Sequence, residues 1–206
     1  KGYTTSVISV YLWAVECAHV TGKMSDAEYE KALDETKKLV DQFQTVVDES
    51  EAWYDRNRTT IVNSDRLYFL GYGIDFATAI EAQLKVGEML RLPALGYEIE
   101  EYSHGPTMAI SKKQTICIIG SDEAEFEHSV DFSKSFKKYT DRVHFITCKD
   151  LGNDPRDCVF SVKTNKYLAP LMFTVPFQFV AAKGAKDIGI DTAINPFDEN
   201  LAHYKD

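Results

Sequence analysis

Residues 66–73 read Arg66-Leu67-Tyr68-Phe69-Leu70-Gly71-Tyr72-Gly73, an apolar run that ends in two glycines. A short apolar run is typical of a buried strand, and closely spaced glycines are typical of a tight turn from a strand into a helix. Ligands of open α/β sheets bind outside such strand ends. Gly71 and Gly73 are therefore predicted to form a tight turn, with or without a ligand beside it. Position 76 is Phe, so the third glycine of a dinucleotide fingerprint is absent, which disfavours a nicotinamide cofactor.

Strand-like and helix-like segments alternate from this run onwards. We predict strands at Arg66–Leu70, Thr115–Gly120, Arg142–Thr147 and Cys158–Ser161, and helices at about Ala77–Arg91, Glu123–Tyr139 and Tyr167–Lys183. This alternation indicates a parallel sheet with helices on both faces. The sequence therefore predicts an α/β fold, a three-layer αβα sandwich.

The residues before the first strand are predicted to form helices. Val7–Val20 is apolar nearly all round, so we expect a helix that is buried in a domain whose other parts are not in this sequence. Ser25 and Glu28 form a capping box at the start of a surface helix, and a further helical stretch runs from about Thr45 to Asn57. We place a boundary near Asn63, which divides the chain into residues 1–63 and 64–206. An apolar segment starts almost at once after Lys1, which is not Met, so we expect a fragment of a longer chain.

Composition excludes several functional classes. The chain has 206 residues, of which 44% are hydrophobic and 12% aromatic, so it is not a disordered segment. The net charge of -9 argues against nucleic-acid binding, which requires a surplus of Lys and Arg. No apolar run reaches the roughly 18 residues of a membrane span. The sequence also lacks the pattern of a signal peptide, so we expect a cytoplasmic protein without a membrane partner.

The four cysteines are widely separated in the chain. Cys17, Cys117, Cys148 and Cys158 lie in or beside apolar runs, with no metal-binding spacing between them. We interpret all four as reduced core residues and expect no metal site.

The predicted helix after the glycines carries a charged stripe. Glu81, Lys85 and Glu88 stand at positions i, i+4 and i+7, so they share one face of the helix. Glu81 and Lys85 have the favoured order for a helix ion pair. Taken alone, Glu88 is interpreted as a solvated carboxylate.

A single histidine stands before two residues that constrain the backbone. His104 is followed by Gly105 and Pro106, in the stretch from Tyr97 to Pro106. Histidine titrates near neutral pH and can pass a proton to or from a sugar oxygen. A lone histidine in a loop is also compatible with no function, so its significance depends on the other motifs.

Together these motifs resemble the SIS (sugar isomerase) family. The resemblance rests on Gly71-Tyr72-Gly73, on Ala79-Ile80-Glu81-Ala82-Gln83-Leu84-Lys85 with Glu88, and on Glu101-Tyr102-Ser103-His104-Gly105-Pro106, and it extends over about residues 64–206. It implies a flavodoxin-like sheet in a second SIS domain, preceded by the last helices of a first SIS domain. It also implies an enzyme that needs no cofactor or metal.

The resemblance implies a role for each candidate residue. Glu88 is the base that moves a proton between sugar carbons, His104 opens the sugar ring, and Lys205 near the C-terminus folds over the sugar. The substrate-binding candidates are Gly71, Gly73, Glu81 and Lys85. The phosphate-binding loops of the family belong to the first SIS domain, upstream of Lys1. A homodimer is also implied, in which His104 reaches the active site of the partner subunit.

The resemblance leaves the reaction open. It implies a sugar-phosphate isomerase or a deglycase acting on a phosphorylated ketose or ketosamine, such as a fructosamine 6-phosphate. Ser103 and Gln83 depart from the pattern of glucosamine-6-phosphate synthase, and the acidic residues Glu100 and Glu101 before the histidine resemble the deglycase type. The alternatives are the isomerase part of glucosamine-6-phosphate synthase, a sugar-phosphate-sensing regulatory module and a structural α/β domain.

Overall fold

The computed structural model describes residues 2–121 and 124–197. Three helices come first and are followed by alternating strands and helices. The helices are α1 (Gly2–Val20), α2 (Asp26–Asp41), α3 (Phe43–Val62), α4 (Ile74–Met89), α5 (Ile99–Ser103), α6 (Phe126–Phe136), α7 (Ala169–Phe173) and α8 (Val175–Asp187). The strands are β1 (Arg66–Gly71), β2 (Ala94–Glu98), β3 (Gln114–Gly120), β4 (Val143–Thr147) and β5 (Cys158–Val159), and a short 3₁₀ helix spans Pro106–Ala109.

The five strands form one parallel sheet. Its strand order is β2-β1-β3-β4-β5, with Leu70 opposite Tyr97 of β2 on one side and opposite Ile118 of β3 on the other. This order is that of the flavodoxin-like sheet. The predicted α/β class and sheet type are confirmed. We did not predict strand β2, whose residues are all only partly buried at the sheet edge.

Helices cover both faces of the sheet. Alternate residues of a strand point to opposite faces, and β1 follows this rule. Phe69 packs on Phe177 of α8 with ring centroids 5.0 Å apart, whereas Tyr68 packs on Tyr102 of α5 at 5.1 Å. The buried residues accordingly divide into two clusters, one on each face. These two clusters establish the predicted three-layer sandwich.

The helices before the sheet differ in how they pack. The predicted capping box is present at the start of α2, where Ser25 and Glu28 bond reciprocally. Helix α3 buries Trp53 and Tyr54, and the Tyr54 hydroxyl donates to the Asp187 carboxylate at 2.7 Å. Helix α3 therefore packs on α8 as part of the sandwich. The boundary near Asn63 stays a prediction.

Helix α1 leaves much of its apolar surface uncovered, and the expectation that its cover lies outside this sequence stays a prediction. Only Val15 is buried among its residues, and 71% of the Trp13 side chain is exposed. Cys17 is also exposed, so it is not a core residue, whereas Cys117, Cys148 and Cys158 are buried thiols as expected. The reason is that α1 packs along one side only, and its other side has no covering element in the described residues.

The predicted helix from Tyr167 to Lys183 is broken into α7 and α8. Thr174 separates them, and Pro176 lies in the first turn of α8. Proline has no N–H group to donate, so it is accommodated at the start of a helix and disrupts a helix interior. Among the described residues, no helix is both long enough and apolar enough to cross a membrane.

Candidate active site

The two glycines form the turn between β1 and α4 at the carboxyl edge of the sheet. A Cβ atom on Gly71 would lie 2.4 Å from the backbone carbon of Asp75, so only glycine fits there. Gly73 has φ of 55° and precedes the first residue of α4, a conformation that glycine adopts without strain. The tight-turn interpretation is therefore confirmed. A ligand beside this turn stays a prediction.

This turn lies at the point where the strand order reverses. Chain connections leave β1 in opposite directions to β2 and β3, and ligands of such sheets bind in this crevice. Here Asp75 is 1% exposed, and its Oδ2 atom accepts hydrogen bonds from the Ser121 N–H at 2.8 Å and the Ser121 hydroxyl at 2.9 Å. The Asp75 side chain thus accepts two hydrogen-bond donors that would otherwise be available to a bound anion. We did not predict a role for Asp75, although the sequence has this acidic residue two positions after the second glycine.

The charged stripe on α4 contains a direct ion pair. The Lys85 ammonium donates to Glu88 Oε2 at 2.8 Å, and both side chains are partly exposed. This hydrogen bond raises the pKa of Lys85 above its ordinary value. Helix spacing predicts a pairing of Lys85 with Glu81, whereas the direct ion pair of Lys85 is with Glu88. Burial raises the pKa of Glu81, and the nearby Lys85 charge partly opposes that rise.

The stripe borders two clefts. Glu81 and Lys85 line a cleft of about 560 Å³ together with Tyr3 of α1 and Gln178 of α8. Glu88 lines a second cleft of about 800 Å³, whose other walls include Gly87, Arg91 and the C-terminal segment 195–197. Because Lys85 is bonded to Glu88, a residue that lines the first cleft is in direct contact with a residue that lines the second. A basic and an acidic group are therefore held together beside space for a small molecule.

His104 lies apart from this arrangement. It is the exposed residue that ends α5, and it lines neither of the two clefts in the part of the chain that the structure describes. Helix α5 itself is well anchored: Glu98 accepts hydrogen bonds from the N–H groups of Glu100 and Glu101 at 2.9 and 3.2 Å, and Tyr102 is fully buried. The structure thus presents His104 on a fixed, outward-facing corner.

The other predicted site residues lie in different parts of the structure. Glu81, Lys85 and Glu88 are together on α4, whereas Gly71 and Gly73 lie at its opposite end. Lys205 lies outside the described residues. Within residues 2–121 and 124–197, no group of three or more His, Cys, Asp or Glu side chains is arranged to hold a metal ion.

The sequence matches the family model of the SIS domain over residues 60–185. The chain belongs to the SIS domain family. The match begins within α3 and ends within α8, so it includes all five strands. The resemblance inferred from the glycine, α4 and histidine motifs is confirmed.

Two curated relatives of this SIS chain carry the same name. Glutamine–fructose-6-phosphate aminotransferase (isomerizing) of Clostridium tetani is 24% identical over 197 residues, and that of Caldanaerobacter subterraneus is 27% identical over 196 residues. Each match covers 93% of this chain but 32% of the relative. The chain thus spans about one third of the length of these relatives.

Solved structures share its fold. A proposed phosphosugar isomerase of Clostridium difficile has a TM-score of 0.78 and 25% identity, with 90% of this chain and 52% of that chain covered. The C-terminal domain of glucosamine-fructose-6-phosphate aminotransferase from Francisella tularensis has a TM-score of 0.74 and 18% identity, with 92% and 54% covered. The sandwich of this chain is therefore the one found in phosphosugar-processing SIS proteins.

Proposed function

We propose that this chain is the catalytic C-terminal part of a sugar-phosphate isomerase or deglycase. Its substrate would be a phosphorylated ketose or ketosamine of the fructosamine 6-phosphate type. The observation that carries the proposal is the Lys85–Glu88 pair at 2.8 Å beside two clefts, on the helix that follows the Gly71 turn. The relatives named as isomerizing fructose-6-phosphate aminotransferases support the substrate class.

The reaction needs a base at carbon, and Glu88 is suited to that role. With the sugar ring open, Glu88 would remove a proton from the carbon beside the carbonyl or imine, which gives an enediol or enolamine. Return of the proton to the neighbouring carbon would isomerise the sugar. Hydrolysis of an imine formed in this way would instead release glucose 6-phosphate and an amine. The adjacent Lys85 ammonium offers positive charge where negative charge develops on the substrate oxygen.

The exposure of His104 fits a contribution to a second active site. A ring-opening group must reach the sugar, yet His104 lines neither cleft beside Glu88 within the described residues. A side chain on an anchored, outward-facing corner is suited to entering the cleft of another subunit. We therefore infer a homodimer with shared sites, in which Lys205 would complete the lining over the sugar.

The phosphate is expected to bind outside this sheet. The crevice at its switch point already contains the Asp75 carboxylate, bonded to both donors of Ser121. These two donors are therefore already used within the protein and are not available to a bound phosphate. Phosphate binding by a preceding domain of the longer protein agrees with this arrangement.

Product analysis with the full-length protein tests the proposal. The protein is incubated with fructose 6-phosphate and, separately, with a phosphorylated fructosamine, and the products are followed by NMR. We expect turnover of at least one substrate. Glucose 6-phosphate and free amine would identify a deglycase, whereas aldose formation would identify an isomerase. Binding of both compounds with no turnover would contradict the proposal and favour a sensor.

A further inference from the structure

The residue that follows α4 has an unusual backbone conformation. Arg91 has φ of 55° and is the one non-glycine residue with positive φ among those the structure describes. Its N–H donates to the Val86 carbonyl at 3.1 Å, so it closes the last turn of the helix. Glycine is the usual residue in this left-handed position, because a side chain there costs stability.

The guanidinium of Arg91 binds the segment that follows α8. Its Nη2 atom donates to the Ile194 carbonyl at 2.6 Å and lies 3.4 Å from the Asp191 carbonyl. Those two carbonyls belong to one turn, in which the Ile194 N–H donates to the Asp191 carbonyl at 3.3 Å and the Ala193 N–H donates to the Asp191 carboxylate at 2.9 Å. One charged side chain thus holds a turn that is about 100 residues away in sequence.

The segment after this turn forms a wall of the cleft that contains Glu88. Asn195, Pro196 and Phe197 line it opposite the last turn of α4, and the Asn195 side chain accepts a hydrogen bond from the Phe197 N–H at 3.0 Å. Arg91 lines the same cleft, three residues beyond Glu88. The wall is therefore attached to the helix that carries the candidate base.

We propose that Arg91 is a positioning residue that fastens the C-terminal segment 191–197 across the cleft of Glu88. The positive charge serves as a donor to backbone carbonyls and not as a substrate ligand. Fastening the wall to α4 keeps the cleft at one width beside Glu88, and small displacements of such walls reduce catalysis strongly. The catalytic consequence rests on the proposed function, whereas the fastening of the segment does not.

Two substitutions in the full-length protein separate this role from simple helix capping. Arg91→Gly and Arg91→Ala both remove the guanidinium, but only Gly relieves the positive φ. We expect Arg91→Gly to have a Tm equal to or above that of wild type and above that of Arg91→Ala. In both variants, amide hydrogen exchange across residues 191–197 should rise about tenfold or more, because the turn loses its anchor. Arg58→Ala is the control, since Arg58 is an exposed arginine whose guanidinium lies 3.9 Å from Asp187 at the end of α8.

Activity provides the second measurement. With the substrate turned over by wild type, kcat/KM should fall about tenfold or more in Arg91→Gly despite its intact Tm, and Arg58→Ala should match wild type. Unchanged exchange in segment 191–197 of Arg91→Gly would overturn the proposal whatever the activity. Increased exchange with wild-type kcat/KM would overturn its catalytic part. If wild type turns over neither sugar, the proposed function fails, and the exchange result still decides whether Arg91 fastens the segment.

Discussion

The Asp75 carboxylate and Ser121 are joined across the switch point of the sheet. One oxygen of Asp75, in the first turn of α4, accepts both the backbone N–H and the hydroxyl of Ser121, which follows β3. Both residues are buried. The pair connects the two elements that border the crevice where sheets of this type bind ligands. This arrangement has consequences for stability.

Replacing Asp75 should therefore destabilise the fold more than replacing its partner. Asp75→Ala leaves the Ser121 N–H and hydroxyl without their acceptor in a buried place, which we expect to cost about 1–3 kcal/mol of unfolding free energy. Ser121→Ala removes one of the two bonds and should cost about 1 kcal/mol. Urea unfolding monitored by circular dichroism measures both values. A change below about 0.5 kcal/mol for Asp75→Ala would show that the pair is not a structural link, and a larger loss in Ser121→Ala than in Asp75→Ala would contradict the predicted order.

Glu88→Gln tests the proposed base. The substitution keeps the size and a hydrogen-bonding oxygen of the side chain but removes its basicity. Turnover should fall by about 10²-fold or more while substrate still binds. The partly exposed pair with Lys85 contributes little, so the unfolding free energy should change by no more than about 0.5 kcal/mol.

The decisive readout for Glu88 is deuterium exchange from solvent at the carbon beside the substrate carbonyl, followed by NMR on the full-length enzyme. Glu30→Gln on the exposed face of α2 is the matched control and should exchange at the wild-type rate. Wild-type exchange in Glu88→Gln would remove Glu88 from the mechanism and leave His104 as the remaining candidate base.

Shared active sites predict complementation between two inactive variants. Full-length Glu88→Gln and His104→Ala chains, each inactive alone, should regain part of the activity after they are unfolded together and refolded as mixed dimers. The reason is that one site of a mixed dimer receives an intact Glu88 from one subunit and an intact His104 from the other. Refolded samples of each single variant are the control. Mixed dimers without activity, formed from folded parents, would show that the two residues do not act across subunits.

Acid should destabilise the protein through His144. This residue of β4 is fully buried, and its Nδ1 atom bonds to the Arg156 carbonyl at 2.8 Å. Burial lowers the pKa of His144 to about 4, against about 6.5 in an unfolded chain. The folded state therefore excludes a proton that the unfolded state binds, and stability falls as pH drops from about 6.5 towards 4, by up to about 3 kcal/mol.

His144→Gln isolates this effect, because glutamine has a donor for the Arg156 carbonyl but does not titrate. The unfolding free energy is measured in urea at several pH values between 7 and 4.5 for both proteins. We expect the variant to lose less stability over this range than wild type. Parallel pH profiles would mean that the carboxylates, and not His144, control the acid sensitivity.

Local patterns in the sequence were sufficient for most of the fold. The apolar run of β1, the glycines after it and the stripe of α4 each depend on neighbouring residues, and so does the capping box at Ser25. Such features depend on hydrophobic periodicity and on backbone preferences, and both are set by residues close together in the sequence. Strand β2 was missed because its residues, at the edge of the sheet, are only partly buried and have no strong alternation.

The sequence by itself determined the family, the parallel sandwich and the placement of Glu81, Lys85 and Glu88 on one helix face. The tertiary structure decided which partners those residues meet: Lys85 bonds to Glu88, and His104 lines neither cleft in the described part of the chain. It also decided the links from Asp75 to Ser121 and from Arg91 to Ile194, which join residues 46 and 103 positions apart. Contacts over such separations depend on how strands and helices dock. Periodicity specifies only the face on which a residue lies, so the partner is set when the sheet and its helices assemble.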